Sequence, residues 1–150
     1  MLEMYQMPAH LIRRLHQVST QVFLARVQST GHDVTPVQFA TMQALAAFPG
    51  VEQAQVATLI GYDRATIGGV IDRLENKGFI RRNVSRRDRR AREVSLTEEG
   101  ARVLQVLTPM IREVQDDIFC GLDQDEAEQF LTLLGKALAS HAAAPDAPKD

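Results

Sequence analysis

The hydrophobic period of this chain changes at the end of a short helix. Ile67, Val70, Ile71 and Leu74 recur at helical spacing, which is one apolar stripe on a 3.6-residue period. From Phe79 to Val84, and again from Arg92 to Leu96, the period drops to two, as in half-buried strands. Asp63 is placed to cap the helix, which runs to Lys77, and Gly78 to close it. A shorter helix, about Glu52 to Ile60 with Val56, Leu59 and Ile60 inward, lies before it across Gly61-Tyr62-Asp63. The order helix, turn, helix, hairpin predicts a winged helix-turn-helix.

The flanks read as helices. Leu11, Leu15, Val18, Val22 and Ala25 mark a helix from Met4 to Val27, with His10, Arg14, Gln17 and Gln21 as a neighbouring polar row. Gly31-His32-Asp33 breaks it. Thr35, Pro36 and Gln38 form the start of a second helix through Ala47, as N-cap, first-turn proline and capping-box partner. Thr97 caps a helix from Glu98 to about Phe119, with an expected kink at Pro109 and an end at Gly121. Asp123 and Glu126 box the start of a last helix, Gln124 to about Ser140, whose stripe is Phe130, Leu131, Leu134 and Leu138. The tail, 141–150, reads as disordered.

The expected fold class is mainly α with a small β-wing. One domain spans 1–150, with the winged helix-turn-helix at about 35–96 and terminal helices at about 5–30 and 97–140. A small winged-helix core cannot cover both terminal stripes, so a helical homodimer is expected. The single cysteine excludes an intrachain disulfide. With neither a membrane-length apolar run nor a signal sequence, the chain reads as cytoplasmic.

Charge narrows the function. The net charge of −2 divides into 0 over 1–60, +6 over 61–92 and −8 over 93–150. Seven of the twelve residues from Arg81 to Arg92 are arginine. Such a segment suits a polyanion, although a solvated loop is the plainer alternative. Arginine favours the polyanion, because its planar fork fits phosphate oxygens and base edges. Arg64 in the first turn of the second motif helix can address a guanine, and Thr66 a base or a phosphate. Ala65, Gly69 and Asp72 share that outward face, flanked by Gly68 and Arg73. Two glycines inside a helix cost roughly 1 kcal/mol each relative to alanine. Either close approach to DNA or tight packing on a neighbouring helix can account for them. Asp72 is expected to pair with Arg73 or a wing arginine.

The segments TPVQFATMQAL (35–45), QAQVATLIGYDRATIGGVIDRLENKGFIRR (53–82) and RRDRRAREVSLTEEG (86–100) resemble the MarR family of bacterial transcription regulators. Asp72 to Glu75, Gly78, Arg82, Asp88, Arg90, Leu96, Thr97 and Gly100 carry the family pattern. The resemblance implies a dimer paired through its first, fifth and sixth helices, with two recognition helices in successive major grooves. It also implies that Arg90, braced by Asp88, enters the flanking minor groove, where narrow grooves attract arginine. The DNA-binding set is then Arg64, Ala65, Thr66, Gly68, Gly69, Arg73, Arg82, Arg86, Arg87, Asp88, Arg89 and Arg90. The family pocket, lined by the first, second and fifth helices, implies an effector site at His10, Arg14, Gln38, Phe39 and Met42. In that site Arg14 would hold a carboxylate and Phe39 and Met42 would stack on a ring. YQMPAHLIRRL with YDRATIGGVIDRLE resembles members that control aromatic-acid catabolism, such as nicotinate degradation.

The alternatives rank lower. No nucleophile motif, phosphate loop or carboxylate pair suggests an enzyme, and no cofactor is expected. Cys120 lies near a helix C-terminus with Asp116 and Asp117 close in sequence, which disfavours a thiolate sensor. His10, His16, His32 and Cys120 lack the spacing of a zinc site. A DNA-binding protein indifferent to effectors, or a purely architectural one, is the main alternative. The expected partners are double-stranded DNA, a second copy of the chain and a small aromatic acid, with no membrane.

Overall fold

The computed structural model describes residues 2–142, in two units that divide at Val114 and Gln115. A 3-10 turn, Glu3–Gln6, precedes α1, Pro8–Gln28. The single helix expected from Met4 is divided here because Pro8 cannot continue a helix but can start one. α2, Pro36–Ala47, opens on the complete capping box. The Gln38 N–H donates to Thr35 Oγ1 at 3.3 Å, and the Thr35 N–H to Gln38 Oε1 at 3.2 Å. α3, Gln53–Ile60, stops at Gly61, whose φ of 70° suits glycine. α4, Arg64–Asn76, starts on Asp63 and ends with Lys77 as C-cap.

The wing is β2, Ile80–Val84, and β3, Arg92–Leu96, paired antiparallel with Arg82 opposite Val94. A third strand, β1, Val51–Glu52, pairs with the other edge of β3. Its two residues are too few to show a period, so the sequence does not announce it. α5, Glu98–Ile118, is capped by Thr97, whose Oγ1 accepts from the Gly100 N–H at 3.0 Å. Pro109 lies inside it. A Cβ added at Gly100 would lie 2.0 Å from the Phe79 carbonyl oxygen. Glycine is therefore what lets α5 seat against the start of the wing.

The core of the first unit takes Phe23 and Val27 from α1, Phe39, Met42 and Leu45 from α2, and Val56 and Ala57 from α3. α4 adds Ile67, Val70, Ile71 and Leu74, and α5 adds Val103, Leu104, Leu107 and Ile111. On α1 Phe23 and Val27 face the core, while Leu11 and Val18 of the terminal stripe stay exposed in the single chain. One expectation changes. On α3 Leu59 is exposed and Ala57 is buried in its place, because the inward face turns through Val56, Ala57 and Ile60.

The second unit holds the end of α5 and α6, Gln124–Ala142. Asp123 and Glu126 form the expected capping box, with both bonds at 2.9 Å. Phe119 meets Phe130 edge-on at 5.5 Å. Leu131, Leu133, Leu134 and Leu138 are exposed. His141 and Ala142 still belong to α6, and the rest of the expected tail lies outside the described residues. Among the described residues no helix is long and apolar enough to cross a membrane.

Candidate nucleic-acid interface

α4 is fixed to the first unit by Ile67, Val70, Ile71 and Leu74, all at 1% exposure or less. Its other side and its first turn are therefore directed outward. Arg64, Ala65 and Thr66 are exposed there. Thr66 is more committed than its position suggests. Its hydroxyl donates to Asp63 Oδ2 at 2.5 Å and its N–H to Oδ1 at 2.8 Å. These two bonds, the hydroxyl's first, hold the Asp63 carboxyl below its ordinary value. With its one hydrogen used, the Thr66 hydroxyl offers only an acceptor, which favours a base donor over a phosphate.

Gly68 and Gly69 are half-buried, but nothing in the chain crowds them. A Cβ at Gly68 would meet only the Gln53 side-chain amide, at 4.0 Å, and one at Gly69 only the end of Arg73, at 3.5 Å. Helix packing therefore does not require either glycine.

Arg82 is turned toward carboxylates. Its Nη2 lies 2.8 Å from Asp72 Oδ1 and 2.9 Å from Glu75 Oε1, and its Nε donates to Glu75 Oε2 at 3.2 Å. The pairing expected for Asp72 is thus made by a wing arginine, and Glu75, not foreseen, supplies the bidentate half. The Arg82 hydrogen bond holds the Glu75 carboxyl below its ordinary value, and the same bond raises the Arg82 pKa. This fork joins β2 to the outer edge of α4. Arg82 therefore acts as a brace in the unbound protein, while Arg73 remains exposed.

The wing tip, Ser85 to Ala91, is ordered by a residue that charge and period do not reveal. Ser85 is buried at 3% exposure, and its Oγ accepts from the N–H groups of Arg87 at 3.2 Å and Asp88 at 3.4 Å. Asp88 in turn accepts from the backbone N–H of Arg90 at 2.9 Å. The brace expected between Asp88 and Arg90 thus acts on the main chain and leaves the guanidinium outside it. Arg86, Arg87, Arg89 and Arg90 are all exposed.

The recognition helix and the wing converge. Arg64, Arg90 and Arg92 line one open depression of about 360 Å³, with Glu52, Gln53 and Ala54 on its α3 side. Three arginines against one acid, Glu52, make this lining net positive, which favours an anion.

The expected effector residues do not form one group within the chain. Gln38, Phe39 and Met42 are closed into the core at 3%, 6% and 0% exposure. Phe39 stacks edge-on against Phe23 of α1 at 5.8 Å. Along α1, Arg14 and His10 lie nine and thirteen residues before Phe23, about 14 and 20 Å at 1.5 Å per residue. His10 meets the Tyr5 ring at 5.5 Å. A separate cleft of about 370 Å³ lies between α2 and α5, with Ala46, Leu96, Leu104, Thr108 and Pro109 as walls and Arg112 beside them. None of the five expected residues lines it.

Residues 32–91 match the MarR family. The transcriptional regulator HosA of Escherichia coli O127:H6 (strain E2348/69 / EPEC) is 35% identical over 129 residues, which cover 86% of this chain and 93% of HosA. The chain belongs to the MarR family. Its relatives there are DNA-binding regulators and not enzymes. The fold aligns with BpsR of Bordetella bronchiseptica, whose DNA binding is regulated by 6-hydroxynicotinic acid, at a TM-score of 0.82 and 26% identity, over 95% of this chain and 96% of that one. It aligns equally with the transcriptional repressor CouR bound to a 23-mer DNA duplex, at 0.82 and 27%, over 92% and 96%. This MarR-family chain thus carries the helix-turn-helix and wing of a transcriptional regulator.

Proposed function

We propose that this MarR-family regulator is a homodimeric repressor that binds a pseudo-palindromic operator and is released by a small aromatic carboxylic acid. The observation that carries the DNA half is the convergence of Arg64, Arg90 and Arg92 on one depression between the recognition helix and the wing. Arg64 reads a base in the major groove, and Arg90 enters the flanking minor groove. The exposed leucines of α6 and the exposed stripe on α1 supply the surfaces through which two copies pair. Repression and an aromatic effector are supported by what CouR and BpsR do. Arg14 and His10 stand nine and thirteen residues along α1 from Phe23, the residue that Phe39 meets. Arg14 and His10 therefore serve a ligand together with Phe39 only if a second copy brings them there. The cleft beside Arg112 is the seat available within one copy.

The test is fluorescence anisotropy on a duplex that the protein selects from a random pool, across a salt series. Arg90→Ala weakens binding and lowers the salt slope by about one. Arg64→Ala costs about 1–3 kcal/mol at one base position. An equal loss on every sequence makes Arg64 a phosphate contact instead. Hydroxylated nicotinates and benzoates are then titrated into the complex. Release that Arg14→Ala abolishes and Arg112→Ala does not puts the ligand at the α1 site, and the reverse puts it in the cleft. A complex that no compound releases points to an effector-independent binder.

A further inference from the structure

We infer that Lys77 is a positioning residue, which ties the far end of the recognition helix to the capping box that opens α2. This rests on reading α4 as the helix that enters DNA. Lys77 is the C-cap of α4. Its Nζ donates to the Asp33 carbonyl oxygen and to Gln38 Oε1 at 3.1 Å, and it pairs with the Asp33 carboxylate at 3.4 Å. An ammonium has three hydrogens to give, and three acceptors surround this one.

Gln38 makes the tie specific. It is 3% exposed, and the same Oε1 accepts from the Thr35 N–H at 3.2 Å. One amide oxygen therefore closes the N-terminus of α2 and anchors the C-terminus of α4. The apolar stripe of α4 sets which face is buried, and directional polar ties, this one at the C-terminus and the Arg82 fork along the outer edge, add to its hold on the tilt. Lys77 is thirteen residues from Arg64, a lever of about 20 Å. A tilt of about 3° at one end then moves the other by about 1 Å, more than the roughly 0.5 Å that a binding constellation tolerates. Lys77 is poorly placed to touch phosphate itself. Its charge is enclosed by oxygens, and it stands at the negative end of the helix.

Three variants of the full chain test this on the selected duplex and on a random-sequence duplex, across a salt series. Lys77→Met keeps the apolar stem and removes the donors. It is expected to lose about tenfold in affinity for the selected duplex, less for the random one, with the salt slope unchanged. Gln38→Leu removes the shared oxygen and is expected to behave like Lys77→Met. Gln38→Glu keeps both the capping-box acceptor and the partner of Lys77, and is expected to retain wild-type discrimination. If Lys77→Met fails to melt as a folded protein, the contrast between the two Gln38 variants decides. Wild-type affinity and discrimination in Lys77→Met, or in Gln38→Leu, overturn the inference. So does a salt slope lowered by about one in Lys77→Met, which would place Lys77 on a phosphate. A wild-type protein that selects no duplex removes the DNA reading, and this inference with it.

Discussion

α4 and α6 are both amphipathic, and they treat their apolar faces in opposite ways. Ile67, Val70, Ile71 and Leu74 of α4 are sealed at 1% exposure or less. Leu131, Leu133, Leu134 and Leu138 of α6 remain 53%, 56%, 37% and 64% exposed. A stripe in a sequence says that a helix has an apolar face. It does not say who covers that face. α4 is covered by its own chain, which leaves its polar edge to be set by Arg82 and Lys77. The leucine row of α6 is the kind of surface that a partner covers, in keeping with the proposed dimer.

The largest effect should come from cutting into the covered face. Leu74→Ala is expected to cost about 2–5 kcal/mol in urea unfolding, since it leaves a cavity. Leu138→Ala should change unfolding by about 0.5 kcal/mol or less at dilutions where the chain is monomeric. At higher concentration it should shift sedimentation toward the single chain. Equal losses for the two variants in dilute protein would erase the contrast between the helices.

A middle-sized effect should come from the outer face of α4. Gly69→Ala is expected to stabilise the free protein by up to about 1 kcal/mol, since alanine is the better helix former and nothing but Arg73 stands in the way. The same change should weaken operator binding if the helix backbone approaches DNA there. A more stable protein with undiminished DNA affinity would remove Gly69 from the interface.

The smallest effect concerns the fork between α4 and the wing. The Glu75 carboxyl is held below its ordinary value of 4.5, chiefly by the Arg82 hydrogen bond. A depressed folded pKa gives stability that is present above the unfolded value and is lost as pH falls through the folded one. The wing should therefore be insensitive to this group at neutral pH and loosen only well into the acid range. Glu75→Gln should flatten that acid limb in hydrogen-exchange protection of β2. An unchanged limb would assign the acid sensitivity to other carboxylates.

Several features were readable in the sequence because they are local. Thr35 with Gln38 and Asp123 with Glu126 bond across three residues, so their spacing is enough. The period change at Phe79 placed both wing strands, and Gly61 and Gly78 marked the turns with left-handed backbone. Pro8 is equally local, yet the helix expected from Met4 runs through it. Other features needed distant partners. β1 exists only because Val51 meets Val94. Ser85 looked like any polar tip residue until the wing folded over it. Arg82 looked like its arginine neighbours, yet seven positions back along the chain Glu75 takes its charge.

The sequence alone determined the order of elements, their caps and the concentration of positive charge on one hairpin. These depend on neighbours within a few residues and on side-chain chemistry, which linear spacing records. Which cations face outward and which are held inward depends on how the chain folds back on itself. Arg64, Arg90 and Arg92 line an open hollow, whereas Arg82 and Lys77 are engaged by carboxylate, carbonyl and amide oxygens. The physical reason is that a guanidinium or ammonium takes its role from the acceptors within about 3–4 Å, and those acceptors come from anywhere along the chain.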